Sequence, residues 1–162
     1  MAEMLEGGCL CGTVRFRATA APLRTLACHC RFCQKITGSS YFAESMFPMN
    51  AVQFNSGRLS TYEHLSDGSS KKVFVHFCPS CGTTVSLTFE RWPDIRGIAR
   101  GCYDDPNAGT VSSHLWTRSA HTGTALPEGV DCFAKARMNL EGQAEPSVRH
   151  PSPVMARPSD DA

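Results

Sequence analysis

Seven of the nine cysteines fall into three tight groups: Cys9 and Cys11, then Cys28, Cys30 and Cys33, then Cys78 and Cys81. This spacing constrains the chain more than any hydrophobic pattern in it. Sulfurs packed so closely in sequence serve either as bridges or as metal ligands. Cysteines one residue apart make awkward mutual disulfides, because bridge geometry is narrow. The cysteine count is odd, and Met1 to Gly8 shows neither the basic start nor the apolar run of an export signal. The thiols are therefore expected to be reduced, and the protein soluble and cytoplasmic.

The Cys78-Pro79-Ser80-Cys81-Gly82 step has the form of a metal knuckle. Two sulfurs three residues apart can reach one ion, and Gly82 supplies the backbone freedom for the turn. A redox dithiol of the same spacing usually sits at a helix N-terminus, whereas Val73, Val75 and Phe77 before it and Val85, Leu87 and Phe89 after it alternate as strands. The knuckle is thus expected at the tip of a hairpin. It needs two more ligands, and Cys9 and Cys11, followed by Gly12, are the natural second pair.

The rest of the chain reads as short strands. Val14, Phe16 and Ala18 alternate with Thr13, Arg15 and Arg17, and a short strand over Thr25 to Cys28 delivers the three-cysteine group. Arg31 to Thr37 has room for a helical turn or two, stopped at Gly38. Tyr41 to Phe47 ends at Pro48. Asn55-Ser56-Gly57-Arg58 and Ser66-Asp67-Gly68-Ser69 have hairpin-turn chemistry, and Ile95 to Gly101 is a further strand. Such spacing predicts a mostly β fold, with antiparallel sheets in a metal-stapled sandwich or open barrel. At 162 residues the chain suits one domain, expected over 1–140. Pro146, Pro151, Pro153 and Pro158 among Ser, Arg and Asp suggest a flexible tail over 141–162.

Charge excludes some functions. Charged residues make up 19% of the chain with a formal net charge of +1. No broad field attracts nucleic acid or an acidic membrane, and no segment approaches a membrane span.

Cys28, Cys30 and Cys33 carry the chemical question. Three protein ligands leave one corner of a tetrahedral zinc open, and an incoming small-molecule thiol fits it as thiolate, since coordination lowers a thiol pKa from its free value of about 8.5. That thiolate is a nucleophile for a small carbonyl compound. Three other uses compete. The trio can be a second structural site completed by Cys102, Cys132 or His76, a group of thiols without metal, or a redox pair at Cys30 and Cys33. Cys102 and Cys132 themselves read as core thiols, His29 as an orienting or surface group, and His114 with Trp116 as packing or as the edge of a ligand pocket.

Gly7-Gly8-Cys9-Leu10-Cys11-Gly12, Cys28-His29-Cys30-Arg31-Phe32-Cys33 and Phe77-Cys78-Pro79-Ser80-Cys81-Gly82 together resemble the glutathione-dependent formaldehyde-activating enzyme family, to which centromere protein V also belongs. The resemblance runs from about Gly7 to Trp116. It implies a fold related to that of methionine sulfoxide reductase B, a structural zinc on Cys9, Cys11, Cys78 and Cys81, and a second, active-site zinc on Cys28, Cys30 and Cys33. It also implies a carbon-sulfur lyase of the S-(hydroxymethyl)glutathione synthase type, with glutathione and formaldehyde as partners. The rival expectation is a non-catalytic, zinc-stabilised module that binds glutathione or another protein.

Overall fold

The computed structural model describes residues 5–157. In chain order the strands are β1 (Glu6–Gly8), β2 (Arg15–Ala18), β3 (Arg24–Cys28), β4 (Phe42–Pro48), β5 (Val52–Ser56), β6 (Ser60–Leu65) and β7 (Lys72–Phe77). They continue with β8 (Thr84–Phe89), β9 (Ile95–Ala99), β10 (Ser113–Leu115), β11 (Ala125–Leu126), β12 (Asp131–Cys132) and β13 (Val154–Met155). The α-helix α1 spans Arg31–Thr37. The described chain packs as two compact units, one of residues 5–25 and 44–110, the other of residues 26–43 and 111–157.

In the first unit, β1, β2 and β5 form a three-stranded antiparallel sheet in that order. Strands β4, β9, β8, β7 and β6 run antiparallel side by side, and β6 ends the row. The alternation read from the sequence places Phe16 and Ala18 inside and Arg15 and Arg17 outward. Phe16 meets Phe54 and Tyr103 edge-on, with ring centroids 6.2 and 6.0 Å away. Val14, Phe47, Val85, Leu87 and Ile98 are almost wholly removed from water. Each side chain of this kind stabilises the fold by about 1.5–3 kcal/mol through burial.

The turn after β5 has the expected chemistry and a different use. Strand β5 pairs with β2, whereas β6 pairs with β7, so residues 55–58 carry the chain between sheets instead of closing a hairpin. Gly57 has φ +74°, and a methyl there would overlap the Thr13 carbonyl oxygen. The loop is pressed onto neighbouring backbone, which sequence spacing does not reveal.

In the second unit β10 lies between β3 and β12, parallel to both, with Leu115 opposite Cys28 and His114 opposite Cys132. The sheets are thus mixed: antiparallel over most of the fold, as expected, with parallel pairing at β10 that the expectation of antiparallel sheets did not include. Parallel neighbours require a long connection, and here most of the chain separates β3 from β10, so no tight turn sets their relative direction. Ala120, Leu126, Cys132 and Ala156 form a small apolar cluster with Val154 packed on it.

Part of the expected tail contributes to this cluster. Val154–Met155 pairs with Ala125–Leu126, Val148 exchanges backbone hydrogen bonds with Cys132 (2.8 and 2.9 Å), and Ala156 donates to the Thr124 carbonyl at 2.8 Å. Small apolar residues between prolines find an existing surface there. Residues 158–162 of the expected tail lie outside the described residues. No helix of the described chain is long and apolar enough to cross a membrane.

Gly7 tests the close approach around β1. It pairs with Phe16, bridges to Tyr103, and leaves no room for a methyl against the Cys102 carbonyl oxygen. Gly7→Ala is expected to destabilise the protein by about 1–3 kcal/mol through overpacking, read as a lower urea midpoint at constant m-value. An unchanged midpoint would contradict the contact.

Candidate metal centres

Each compact unit contains one sulfur group. Cys9 and Cys11 sit in the turn from β1 to β2, where the Cys9 N–H donates to the Val14 carbonyl (3.0 Å) and Gly12 adopts φ +77°. Cys78 and Cys81 occupy the tip of the β7–β8 hairpin, closed by Cys78 N–H to the Thr83 carbonyl (3.0 Å) and Gly82 N–H to the Cys78 carbonyl (2.9 Å). The four Sγ atoms lie within 4.8 Å of one another, with Cys9–Cys11 at 3.5 Å and Cys11–Cys78 at 3.8 Å. A tetrahedral ion with metal–sulfur bonds of about 2.3 Å requires sulfur separations of about 3.8 Å. The quartet therefore fits a soft dication of that size.

Its surroundings act unequally: hydrogen-bond donors favour negative sulfur at Cys81, while burial pushes the Cys78 thiol up. The Val14 N–H donates to Cys9 Sγ at 3.2 Å, and the Thr83 hydroxyl lies 3.2 Å from Cys81 Sγ. The Thr83 hydroxyl, then the Thr83 and Cys11 backbone N–H groups, lower the Cys81 thiol to about 5. Thr83 Oγ1 also accepts from the Leu10 N–H at 3.2 Å, so one side chain links the two turns.

The trio is built where β3 meets α1. Cys28 ends the strand, Cys30 is the helix N-cap with extended backbone (φ −65°, ψ 155°), and Cys33 lies in the first turn. Cys30 Sγ accepts the Cys33 N–H at 3.4 Å, the work serine or aspartate commonly does at this position. Gly38, at φ 63°, terminates the helix as its left-handed cap. The three Sγ atoms lie within 4.8 Å of one another, and no histidine, carboxylate or further cysteine of the described residues joins them. Hydrogen bonds from Cys28 and Cys33 hold the Cys30 thiol far below its ordinary range, and the same bonds push those two up. The bonds among the three sulfurs thus favour negative charge at Cys30, the charge a cation would meet there.

The structure also places the remaining candidates, with Cys102 and Cys132 as the expected core thiols and His29 away from the surface. His29 is fully buried, with Nε2 2.9 Å from His114 Nδ1 and the two rings stacked at 5.2 Å. The Tyr41 ring covers His29 at 5.1 Å. Burial, then the charge of His114, lowers His29 to about 4, so this ring is neutral near pH 7. His76 bonds Thr61 Oγ1 (3.0 Å) and Thr88 Oγ1 (2.8 Å) and belongs to neither sulfur group. Cys102 and Cys132 are buried outside both groups. All nine cysteines are free of disulfides.

The role of Gln34 was not legible from the sequence, nor was the backbone conformation of Trp116. Gln34 is buried on α1, and its Nε2 donates to the carbonyls of His29 (2.8 Å) and Ser119 (2.9 Å). Its position four residues after Cys30 on a short helix is the signal that could have marked it as inward-facing. Trp116 adopts φ 58°, a conformation few bulky residues tolerate, and donates its N–H to the Lys135 carbonyl at 3.0 Å. Beside α1 lies an open cleft of about 520 Å³, lined by Arg31, Gln34, Lys35, the 38–40 turn and His121.

Comparison with known proteins gives this geometry a family. The sequence pattern of "Glutathione-dependent formaldehyde-activating enzyme" matches residues 4–119, which include both sulfur groups. The chain belongs to that family. A Halomonas elongata protein, named provisionally as a glutathione-dependent formaldehyde-activating enzyme, is 30% identical over 95 residues, 57% of this chain and 60% of that protein. The match thus spans less than two thirds of the relative. A Rhodobacter sphaeroides protein of known crystal structure is similar in fold, with a TM-score of 0.52 at 19% identity over 65% of this chain and 96% of that one.

Protein isolated under reducing conditions is expected to contain about two equivalents of thiophilic metal by elemental analysis. Cys78→Ser should lose about one equivalent and melt much earlier, because the quartet ties two distant turns together. Cys33→Ser should lose the other with a smaller fall in Tm. Native protein that titrates as nine free thiols would refute both sites.

Proposed function

We propose that the protein joins glutathione to formaldehyde, giving S-(hydroxymethyl)glutathione, with zinc held in both sulfur groups. The observation that carries this reading is the trio: three converging sulfurs in a member of this family, with no fourth protein donor among the described residues. The quartet is the closed, structural site. When bound to Cys28, Cys30 and Cys33, zinc supplies an open coordination corner that favours the thiolate form of an incoming thiol.

The chain's own part is to fix the three sulfurs and the segment around them. Strand β3 delivers Cys28, and the start of α1 sets Cys30 and Cys33 at helical spacing. The buried His29–His114 pair holds the residue between the first two sulfurs, and the His29 N–H is anchored on the Leu115 carbonyl at 2.9 Å. In the reaction the glutathione sulfur gives up its proton and forms a bond to the formaldehyde carbon. The carbonyl π pair moves to oxygen, which takes a proton from water. Nothing is oxidised or reduced, and the reverse step is a carbon-sulfur lyase reaction.

The same reading takes in the expected relation to methionine sulfoxide reductase B, supported by the mostly β sheets, and a reducing, cytoplasmic setting, supported by the free cysteines.

Exchange NMR of glutathione and formaldehyde tests the proposal. The protein should accelerate exchange over buffer, and Cys30→Ser should reduce that acceleration at least about 100-fold, a loss of about 2.7 kcal/mol in transition-state stabilisation. Serine is a good N-cap, so α1 should survive this substitution, with a fall in Tm no larger than that of Cys33→Ser. No acceleration by wild-type protein would remove the enzymatic reading and leave a zinc-stabilised binding module.

A further inference from the structure

His29 separates Cys28 from Cys30 and is wholly buried, yet among the described residues its ring stands outside the converging ligand atoms. Both peptide groups that flank it are tied down. The His29 N–H donates to the Leu115 carbonyl at 2.9 Å, and Gln34 Nε2 donates to the His29 carbonyl at 2.8 Å. Peptide units are planar, so pinning the unit on each side of residue 29 sets the Cα atoms of Cys28 and Cys30, from which both thiol side chains start.

The imidazole supplies the remaining restraint. Its Nε2 lies 2.9 Å from His114 Nδ1, so one ring donates and the other accepts. The two rings stack at 5.2 Å, and Tyr41 lies against both, 5.1 Å from His29 and edge-on at 6.4 Å from His114. Strand β10 brings the ring partner and the backbone partner together, with His114 opposite Ala27 and Leu115 opposite Cys28. The ring contact joins residues 85 positions apart in the chain. An aliphatic side chain at 114 would leave the buried His29 Nε2 without a partner, and the ring, with residue 29, would shift to find another.

We infer that His114 is a positioning residue for the sulfur trio: through His29 it holds Cys28 and Cys30 at the separation that grips a metal ion. The inference rests on the reading that the trio holds zinc. It adds to the three ligands a residue on another strand, which sets how tightly the ion is held without touching it. Groups one step behind a metal's ligands usually account for about 10–100-fold in affinity.

The test compares His114→Leu, which fills the space without a ring nitrogen, with His114→Asn, whose amide puts a hydrogen-bonding atom near the place of Nδ1. Zinc is withdrawn from the full chain with a chromogenic chelator, and the absorption spectrum is recorded after cobalt substitution; Cys33→Ser identifies the signals of the trio. His114→Leu should weaken the trio's zinc affinity about 10–100-fold and alter its cobalt spectrum, with the quartet unchanged. His114→Asn should recover most of the affinity. His29→Phe removes the same bond from the other ring and should reproduce the loss at the trio, which keeps the inference testable if His114→Leu does not fold. A lower Tm with trio affinity and spectrum unchanged would reduce the pair to packing and overturn the inference, as would equal losses in His114→Leu and His114→Asn. A single zinc in wild-type protein would overturn both the inference and the reading beneath it. Weakened zinc in His114→Leu without accelerated exchange by wild type would keep the inference and remove the lyase; accelerated exchange with zinc affinity indifferent to His114 would do the reverse.

Discussion

Mutual repulsion of closely packed thiolates is the constraint on which this structure turns. Two unit charges at the 3.5 Å that separates Cys9 and Cys11 sulfur repel by roughly 5 kcal/mol at an effective dielectric of about 20. Four such sulfurs within 4.8 Å, and three more elsewhere, are tolerable only if most stay protonated or a cation lies among them. The local backbone is arranged for the second case: turn amides and the Thr83 hydroxyl point at sulfur. An ion bound there would make binding part of folding, because the sulfurs of distant turns converge only in the native chain.

The two groups solve this problem with different backbone. The quartet joins two strand turns whose cysteines are far apart in sequence, with Cys9 and Cys78 buried and Cys11 exposed. The trio is local, all within one strand end and one helical turn, and its sulfurs leave the coordination sphere unfilled by protein. A saturated set suits permanence and an unsaturated one suits exchange with solvent or substrate. Trp116 in the left-handed region, immediately after the strand that pairs with Cys28, marks a second constrained turn in the unit that holds the trio.

Much of this was legible from residues alone. Alternation found β2, β7 and β8; the Cys-x-x-Cys-Gly step found the hairpin tip; and the helix from Arg31 to Thr37 ended at Gly38 as its glycine implied. What escaped were matters of long-range partnership. Turn chemistry at 55–58 says that the chain bends, not which strand it joins next. The parallel placement of β10 depends on a partner far back in the sequence. Residues 141–157 read as polar and proline-rich, yet Val154 and Ala156 find an apolar patch made by Ala120, Leu126 and Cys132. The choice for His29 between an orienting and a surface group stayed open because its partner, His114, lies on another strand.

Gln34 shows how much can depend on a side chain with no chemistry of its own. Its nitrogen bridges the carbonyl ends of two separate segments, after β3 and after β10, while its oxygen receives the neighbouring guanidinium. A carboxylate there would confront two carbonyl oxygens with an anion, and a methionine of equal length would leave both carbonyls without that donor and the guanidinium without that acceptor. The position is thus reserved for a primary amide: a splint that sets the helix's rotation about its axis and so decides where everything mounted on it points.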